Sequence, residues 1–416
     1  MAGPDLKSGM EEKRQTQLER LQSTLNRSER NVPFHRKRFR GNGADSIKIE
    51  HVRDITALPF MDRTDLSAHY PYGLFAVPLR DIVRIHTAAG TGSNPTVSGY
   101  TKQDLRVWRE LVARSLRESN VTDHDILQIR LHPGLGNWGR DYKDGAEEAG
   151  AGVIPNIPLS VEKQLMVLRD YKTTTLITTP GMAARLADYM FKSEINPTIL
   201  NLKTVILVGE YADHEFRRQI EDRVHAETWA HYGLNEVPGP AIACECACHD
   251  GLHVNEDHFL PEIIDSATNE SAPPGEEGEL TLTTLTTRAF PLIRFKTGDR
   301  ARILPDPCPC GSLFARIEWK GVRTDHLLTV GGVKIHEDQI RAQIEQILGR
   351  PSDFRYTVTS EQGIDPYLEI WLCVDDHMFS DEIKMLEKTV KKAGDSLAEN
   401  LGIPITVHLT EKRSLF

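Results

Sequence analysis

Cysteine and histidine side chains that could bind a metal are concentrated in two short segments. They are Cys244, Cys246, Cys248, His249 and His253 in the first, and Cys308 and Cys310 in a later Cys-Pro-Cys-Gly turn. Thiolates and neutral imidazoles are the ligands that zinc prefers, and four protein ligands make a structural site. The two segments offer more than four ligands, so the residues alone leave the ligand set open. Reduced cysteines without a metal are the alternative.

A loop of small residues follows a β-branched run in the first quarter of the chain. From Arg84 to Thr96 the sequence is RIHTAAGTGSNPT. Small residues let the backbone approach phosphate oxygens closely and adopt unusual dihedral angles, so such a loop can bind phosphate through its N–H groups. An ordinary Gly-Ser turn between two strands is the alternative.

Two polar turns follow strand-like segments further along the chain. Gly209-Glu210 comes after TVILV, and the segment Tyr232-Gly233-Leu234-Asn235-Glu236 comes after ETWAH. Open α/β sheets bind ligands beyond the carboxyl ends of their strands, so both turns are candidates for a ligand site. Taken without further context, Glu236 is more typical of an exposed surface position.

The elements that must position these residues alternate between strand and helix. From Ile82 to Gly209, the runs VRIHT, DILQIRL, TTLITT and TVILVGE alternate with helical patterns such as VEKQLMVLRDY. This order predicts βαβ units and a mainly parallel sheet. Before them, Leu18, Leu21 and Leu25 at helical spacing predict an amphipathic helix.

The pattern changes twice after Tyr232. Shorter strands separated by turns, from GLHV to PLIRF, predict an antiparallel β subdomain, and beyond Arg323 the order of strands and helices predicts a small α+β domain. We therefore expect an α/β protein. Residues 1–320 form a large domain with doubly wound, mainly parallel sheets plus the β subdomain, and residues 321–416 form a small α+β lid domain, with a hinge near Gly321 to Asp325.

Composition narrows the class of partner. The 416 residues carry a formal net charge of −10, with 39% hydrophobic and 26% charged residues. An acidic chain lacks the dense basic surface that nucleic-acid binding needs, so small molecules are the expected partners. No apolar run is long enough for a membrane helix and the N-terminus is polar, so we expect a cytoplasmic protein without a membrane partner. Clustered cysteines in such a compartment favour metal over disulfides.

Several long motifs occur together and in order between about residues 30 and 345. They are VPFHRKRF, LPFMDRTDLSAHYPYGLFAVPLRDIVRIHTAAGTGSNPTVSGYTKQDL, HYGLNEVPGP, GLHVNEDHFLPEIID, GEEGELTLTTLTTRAFPLIRFKTGD and CPCG. This text closely resembles the phenylacetate-coenzyme A ligases, a family of adenylate-forming enzymes. The resemblance implies ATP-dependent activation of an aromatic carboxylic acid as an acyl-adenylate, followed by transfer to coenzyme A or another thiol or amine acceptor.

The resemblance also implies roles for individual residues. The nucleotide-binding positions, for ATP and AMP, are Gly90, Thr91, Gly92, Ser93, Gly209, Glu210, Tyr232, Gly233, Leu234, Asp299 and Arg323. Glu236 and Thr91 are the catalytic positions, and Glu236 also holds Mg²⁺. The acyl pocket comprises Trp138, Pro238, Gly239, Pro240, Ala241 and His258. The zinc ligands are Cys246, His253, Cys308 and Cys310, and a homodimer is expected.

Individual positions keep alternative interpretations. Arg323 at the domain junction could form a simple salt bridge with Asp325, and His258 could be a hydrogen-bonded buried histidine.

The chain departs from the family pattern at positions that meet the triphosphate. The family's loop has the pattern Ser-Ser-Gly-Thr-Thr-Gly-Lys-Pro, whereas here Ala88 and Ala89 replace the serines, the second glycine is displaced to Gly92, and Asn94 replaces the lysine. The family's C-terminal lysine also has no clear counterpart, since Lys412 lies too close to the last strand. Loss of these cations weakens stabilisation of the departing pyrophosphate.

Three hypotheses follow from this mixture of kept and altered motifs. The first is a working ligase that transfers the acyl group to coenzyme A. The second is a catalytically degenerate protein that binds an adenylate or a carboxylate, and the third is a ligase that forms amides. The identity of the acid stays open.

Overall fold

A computed structural model describes most of the chain in atomic detail. The described residues are 4–40, 48–88, 94–237, 239–325, 327–331, 333–359, 367–373 and 383–410. Among them, no helix combines the length and apolar character needed to cross a membrane.

Three helices and a hairpin form the N-terminal part. They are α1 (Pro4–Asn31), α2 (Pro33–Arg40), α3 (Arg63–Ala68), β1 (Ile82–Ala88) and β2 (Thr96–Thr101). The predicted amphipathic helix is confirmed, since Leu21 and Leu25 of α1 are buried in the main core. The run VRIHT does form a strand. Within the described residues, however, β1 pairs only with β2, antiparallel, and does not join the parallel sheet as the alternation predicted.

The predicted βαβ region forms five parallel strands with helices between them. The strands are β3 (Ile126–Arg130), β4 (Gly152–Ile154), β5 (Thr175–Thr178), β6 (Thr204–Val208) and β7 (Glu227–Tyr232). The helices are α4 (Lys102–Glu118), α5 (Gly136–Ala149), α6 (Val161–Asp170), α7 (Pro180–Lys192) and α8 (His214–Val224). Strands β5 and β6 are buried along their whole length, as expected for parallel strands covered on both faces.

Six antiparallel strands follow, and they extend the same sheet. They are β8 (Ala243–Cys244), β9 (Leu252–Val254), β10 (Phe259–Ile264), β11 (Gly278–Thr284), β12 (Phe295–Ile303) and β13 (Arg316–Arg323). The sheet has eleven strands in the order β10-β11-β12-β13-β9-β8-β7-β6-β5-β3-β4. The α/β class is confirmed, but the antiparallel strands continue the parallel sheet through β8 and β7 instead of standing apart.

The C-terminal part has its own sheet and its own core. Its elements are β14 (Leu328–Val330), β15 (Val333–Ile335), α9 (Glu337–Leu348), β16 (Phe354–Thr359), β17 (Tyr367–Cys373), α10 (Ile383–Leu401) and β18 (Ile405–Thr410). Strands β16, β17 and β18 form a three-stranded sheet, and β14 pairs with β15. Apolar residues of these elements, such as Ile340, Ile370 and Leu397, form a separate buried cluster.

Candidate functional site

The carboxylate of Asp299 is the centre of a buried corner where three strands meet. Tyr232, at the end of β7, donates its hydroxyl to Asp299 Oδ2 at 2.7 Å. Arg323, the last residue of β13, donates to Asp299 Oδ1, because the strand register places these two residues opposite each other. Burial opposes ionisation of Asp299, but the charges of Lys334 and Arg323 hold its pKa below the usual range. Both carboxylate oxygens are therefore occupied by protein donors.

Arg63 joins two further carboxylates beside this corner. Asp62 caps α3, so Arg63 is its first residue. Arg63 Nε donates to Glu236 Oε1 at 2.6 Å, and Nη1 donates to Asp325 Oδ2 at 2.6 Å. Arg63 is 5% exposed and Glu236 is 3% exposed. Burial favours the neutral form of Glu236, but the charges of Arg63 and Lys334, together with the hydrogen bond from Arg63, keep the pKa of Glu236 below its usual range.

Each of these two side chains retains one unused polar atom. Within the described part of the chain, Arg63 Nη2 and Glu236 Oε2 are buried and have no hydrogen-bond partner. Buried polar atoms in native proteins are nearly always satisfied, so an unused donor beside an unused carboxylate oxygen indicates a ligand position. A phosphate oxygen and a hard cation are suited to this pair.

Lys334 brings a third cation from the C-terminal part of the chain. It lies in β15, and its Nζ is 3.3 Å from Asp299 Oδ2. Burial lowers the pKa of Lys334, whereas the charge of Asp299 acts to raise it. The residue before Lys334 packs tightly against the large domain, since a Cβ at Gly134 would lie only 2.4 Å from Val333 Cγ2. His132 Nδ1 also donates to the carbonyl of Gly402 at 3.0 Å.

Gly298 allows the polar groups of this corner to approach so closely. Its φ is +74°, and a Cβ there would lie 2.1 Å from Asp325 Oδ2. No side chain can be accommodated at that distance, so only glycine suits the turn before Asp299. In this arrangement, Arg323 Nε donates to Asp325 Oδ1 at 2.8 Å and Nη2 donates to Asp325 Oδ2 at 2.6 Å.

A cavity of about 150 Å³ lies next to the corner, after strand β6. Glu210, Tyr211 and Trp319 contribute to its lining. Val208 pairs with His231 across β6 and β7, so the turn at Gly209 lies next to Tyr232. Trp319 packs edge-on against Tyr232, with ring centroids 5.2 Å apart. The expected nucleotide-binding residues Gly209 and Glu210 thus lie near Tyr232, another residue of that set.

The loop from Gly233 to Ala241 is tightly folded. A Cβ on Gly233 would lie 2.4 Å from the carbonyl oxygen of Gly239, so the backbone closes on itself there. Leu234 and Ala241 are fully buried. A Cβ on Gly239 would lie 3.5 Å from Trp138 Cδ1, which brings two expected pocket residues together.

Other expected site residues are less directly placed. Pro240 follows Gly239 in the same loop, with its Cα 2.7 Å from a Cβ built on Gly233. Both ring nitrogens of His258 have protein partners, Thr286 Oγ1 at 2.8 Å and Asp257 Oδ2 at 3.2 Å. These contacts agree with a hydrogen-bonded histidine, but the side chain of His258 is half-buried and not fully buried. Outside the described residues lie Gly90, Thr91, Gly92, Ser93, Pro238 and Lys412.

The four cysteine and histidine residues selected by resemblance converge. The ligand atoms of Cys246, His253, Cys308 and Cys310 all lie within 4.8 Å of one another. Cys246 Sγ is 3.6 Å from Cys308 Sγ, close to the roughly 3.8 Å expected for two thiolates on one tetrahedral zinc. His253 Nδ1 donates to the carbonyl of Phe314 at 3.1 Å, which leaves Nε2 to bind a metal.

The structure also decides which cysteine near position 246 joins this group. Cys244 is buried in β8, and within the described residues neither Cys244 nor Cys248 belongs to the group. Next to Cys246, Glu245 is held by Arg217 at 2.6 Å and accepts from the backbone N–H of Ala230 at 2.8 Å. These contacts fix the start of the loop that carries Cys246.

Two residues of the charged corner were missed by sequence reasoning. Arg63 lies within the resembling text LPFMDRTDL, but nothing in its local pattern distinguishes it from an exposed helix-start residue. Lys334 lies in a short alternating strand, VKI, where a lysine normally faces solvent. Only the packing of β15 against the large sheet shows that its charge is buried.

Comparison with known proteins places this fold and site in a family. No family model matches the chain. It is 33% identical to the phenylacetate-coenzyme A ligase of Thermus thermophilus over 98% of this chain and 95% of that protein. It is 38% identical to the corresponding ligase of Pseudomonas putida over 80% of this chain and 76% of that protein.

One solved structure matches almost the whole fold. A 2-hydroxyisobutyryl-CoA ligase, in complex with 2-HIB-AMP and CoA in its thioesterification state, gives a TM-score of 0.86 at 23% identity, covering 97% of this chain and 87% of that one. The same enzyme in its postadenylation state gives a TM-score of 0.68, covering 96% and 86% of the two chains.

The fold is that of the adenylate-forming ligases. Within that class, the identity to the two curated relatives is decisive, because it extends over most of both chains. The chain belongs to the phenylacetate-coenzyme A ligase family.

Proposed function

We propose that this protein activates an aryl carboxylic acid with ATP and transfers the acyl group to coenzyme A. The carboxylate oxygen attacks the α-phosphorus of ATP, which forms acyl-AMP and releases pyrophosphate. The thiol sulfur of coenzyme A then attacks the acyl carbonyl carbon, and AMP leaves. The observation that carries the proposal is the buried corner of Tyr232, Asp299 and Arg323 beside the unused polar atoms of Arg63 and Glu236.

The corner suggests how the nucleotide binds. Asp299 accepts from the ribose hydroxyls, with Arg323 beside it, at an acceptor position that Tyr232, Arg323 and Lys334 leave open, because a carboxylate has about four such positions. Tyr232 stacks on the adenine, next to Gly209 and Glu210, and Gly233 and Leu234 form the turn that follows. The loop Gly90, Thr91, Gly92 and Ser93 contacts the phosphates, with Thr91 in the catalytic role that the family implies.

Glu236 is the residue proposed to hold Mg²⁺. Its Oε2 is buried and has no partner among the described residues, and a carboxylate oxygen is the ligand type that Mg²⁺ prefers. A bound Mg²⁺ supplies charge neutralisation at the phosphates. The side chain of Arg63 adds positive charge beside Glu236, although Asn94 replaces the lysine of the family's loop.

We assign a structural zinc to Cys246, His253, Cys308 and Cys310. Three thiolates and one imidazole within 4.8 Å have the donor chemistry and the spacing of a closed tetrahedral site. The zinc would tie the loop after β8 to the turn before β13. Its chemistry is structural, because the four protein ligands leave no open position for a substrate.

We also propose that the chain works as two domains in the cytoplasm, as a homodimer. Residues 1–320 would form the adenylation domain and residues 321–416 the lid, hinged between Gly321 and Asp325. The separate apolar core of the C-terminal elements supports this division. The higher TM-score to the thioesterification state suggests that the lid lies here in the orientation for thioester formation.

An assay of carboxylate-dependent pyrophosphate release tests the proposal. Purified protein with ATP and Mg²⁺ is given a panel of aromatic acids, and thioester formation is followed after coenzyme A is added. We expect release with at least one acid and a matching amount of thioester. Asp299→Ala should abolish both, whereas Asp123→Ala, at an exposed position, should change neither.

Three results would overturn parts of this proposal. A lack of pyrophosphate release with every acid of the panel, together with measurable AMP binding by calorimetry, would show a protein that binds adenylates without activating acids. Unchanged AMP affinity in Asp299→Ala would show that the nucleotide site lies elsewhere. Amide formation from an added amine, without thioester, would replace coenzyme A as the acceptor.

A further inference from the structure

Six charged side chains form a continuous series of ion pairs across the corner around Asp299. In order of contact they are Lys334, Asp299, Arg323, Asp325, Arg63 and Glu236, which we call the charge chain. Its first ion pair joins Lys334 Nζ to Asp299 Oδ2 at 3.3 Å, and its last joins Arg63 Nε to Glu236 Oε1 at 2.6 Å. The charge chain therefore links a residue of the proposed lid to the proposed magnesium ligand.

The charge chain is largely buried and electrically balanced. Its three cations and three anions sum to zero, and its side chains are at most 25% exposed. An excess charge is costly at such a site, because little water solvates it. Lys334 is the member that lies beyond the proposed hinge, in β15. Without it, two cations and three anions remain, so the charge balance depends on the lid.

The charge of Lys334 reaches Glu236 at the other end of the charge chain. Burial opposes ionisation of Glu236, whereas the positive charges of Arg63 and Lys334 hold its pKa below the usual range. Burial likewise lowers the pKa of Lys334, and the negative charge of Glu236 acts to raise it. A positive charge that hinders proton binding to Glu236 also repels a metal cation bound there. Lys334 and a metal cation on Glu236 therefore repel each other.

The position of Lys334 is tied to the orientation of the lid. Strand β15 carries it, and Lys334 pairs there with Thr329 of β14. The β14–β15 hairpin is packed against the large domain, because a Cβ added at Gly331 would lie 3.0 Å from His132 Cδ2. The neighbouring residue Val333 packs equally closely against Gly134. A lid that turns away from the sheet therefore takes the charge of Lys334 with it.

We infer that Lys334 is a positioning residue that opposes Mg²⁺ at Glu236, so that loss of the metal favours the lid orientation seen here. The inference rests on the proposed function, because it takes Glu236 as the magnesium ligand and the C-terminal part as a lid. Coupling between two binding events is reciprocal. If this lid orientation weakens metal binding by some factor, the bound metal disfavours this orientation by the same factor. Departure of the metal with pyrophosphate thus favours thioester formation.

Binding of Mn²⁺, which prefers the same oxygen ligands as Mg²⁺, tests the inference without catalysis. The full chain is saturated with AMP and titrated with Mn²⁺, free Mn²⁺ is measured by EPR, and the Mn²⁺ bound by AMP alone is subtracted. We expect Lys334→Met to bind Mn²⁺ roughly fivefold or more tightly than the parent, the lower end of typical coupling between sites. Equal affinities would overturn the inference. Lys334→Gln, which is also neutral, gives the same test should the methionine variant not fold.

The Mg²⁺ dependence of thioester formation tests the coupling from the other side. The parent receives preformed acyl-AMP and coenzyme A at increasing Mg²⁺. We expect saturating Mg²⁺ to slow transfer roughly fivefold or more, because the transfer rate follows the population of this lid orientation. Transfer by Lys334→Met should be slow but insensitive to Mg²⁺, whereas the exposed control Lys391→Met should behave as the parent does. The same Mg²⁺ dependence in Lys334→Met as in the parent would show a merely structural lysine and overturn the inference.

Glu236→Gln distinguishes failure of this inference from failure of the proposed function. If this variant loses Mn²⁺ binding while the parent and Lys334→Met bind Mn²⁺ equally, Glu236 holds the metal and only the inference is wrong. If Glu236→Gln binds Mn²⁺ as the parent does, the metal lies elsewhere, and the proposed magnesium site is wrong together with the inference. The Mn²⁺ titrations need no acid, so they decide the inference even if no acid supports pyrophosphate release.

Discussion

Replacement of Lys334 by methionine separates the two half-reactions that we propose. Lys334 lies in the C-terminal part of the chain, whereas its partner Asp299 lies in the large sheet, with Nζ and Oδ2 3.3 Å apart. The pair therefore stabilises one orientation of the lid against the sheet. We proposed above that this orientation is the one for thioester formation, so the contact is expected only during that half-reaction.

The size of the effect follows from burial and from the remaining partners. The Lys334 side chain is 14% exposed and Asp299 is fully buried, so solvent screens the pair little. Asp299 keeps Tyr232 and Arg323 after the substitution, so its charge is not left unpaired. The loss is then that of one charged hydrogen bond, about 1.5–3 kcal/mol. This corresponds to a thioester-forming step slowed by roughly 10- to 150-fold.

The assay measures each half-reaction alone. Pyrophosphate release in a single turnover without coenzyme A reports adenylation, and thioester formation from preformed acyl-AMP reports transfer. We expect Lys334→Met to slow transfer and to leave adenylation nearly unchanged. Lys391→Met, at an exposed position of α10, serves as the control and should affect neither step. Equal slowing of both steps, or slowing of adenylation alone, would refute the reasoning.

Three further predictions concern the loop, the metal group and the response to acid. Asn94→Lys restores the loop cation and should speed adenylation in a single-turnover assay; a slower enzyme would show that the loop has a different pose. We expect about one equivalent of zinc in the parent protein, and Cys308→Ser should lower both the zinc content and the melting temperature. Cys248→Ser should change neither. Metal analysis that finds no zinc in the parent protein would exclude the site. Burial lowers the pKa of His231 to about 4 from an ordinary 6.5, so the unfolded chain binds a proton first and stability falls as the pH drops from about 6.5 to 4. Urea unfolding should give a lower free energy of unfolding at pH 5 than at pH 7. This difference should be smaller in His231→Gln, by at most about 1.4 kcal/mol per pH unit, and unchanged in the exposed control His124→Gln.

Regular elements were predicted well where their own pattern dominates. The run VEKQLMVLRDY became α6, because the period of its apolar face is set locally. The pairing partner of a strand was harder to predict, because VRIHT has the composition of a strand whether it pairs in a hairpin or in the central sheet.

The ligand set of the metal group shows the limits of sequence in another way. Cys244, Cys246 and Cys248 alternate along one short segment, and their residue type is the same. Resemblance selected Cys246, and the structure brings that residue to Cys308 because β8 buries Cys244 elsewhere. Side-chain direction depends on the strand into which the segment folds, and no local pattern determines that direction.

The sequence by itself determined the family and the α/β class, because long motifs in a fixed order carry that information. Only the tertiary structure decided how the charges of the corner around Asp299 are compensated. Arg63 and Lys334 lie far apart in the chain, in segments of ordinary composition, yet both reach the carboxylates around Asp299. The physical reason is that burial and electrostatic pairing depend on distances across the folded sheet and lid, whereas local sequence patterns report only on neighbours along the chain.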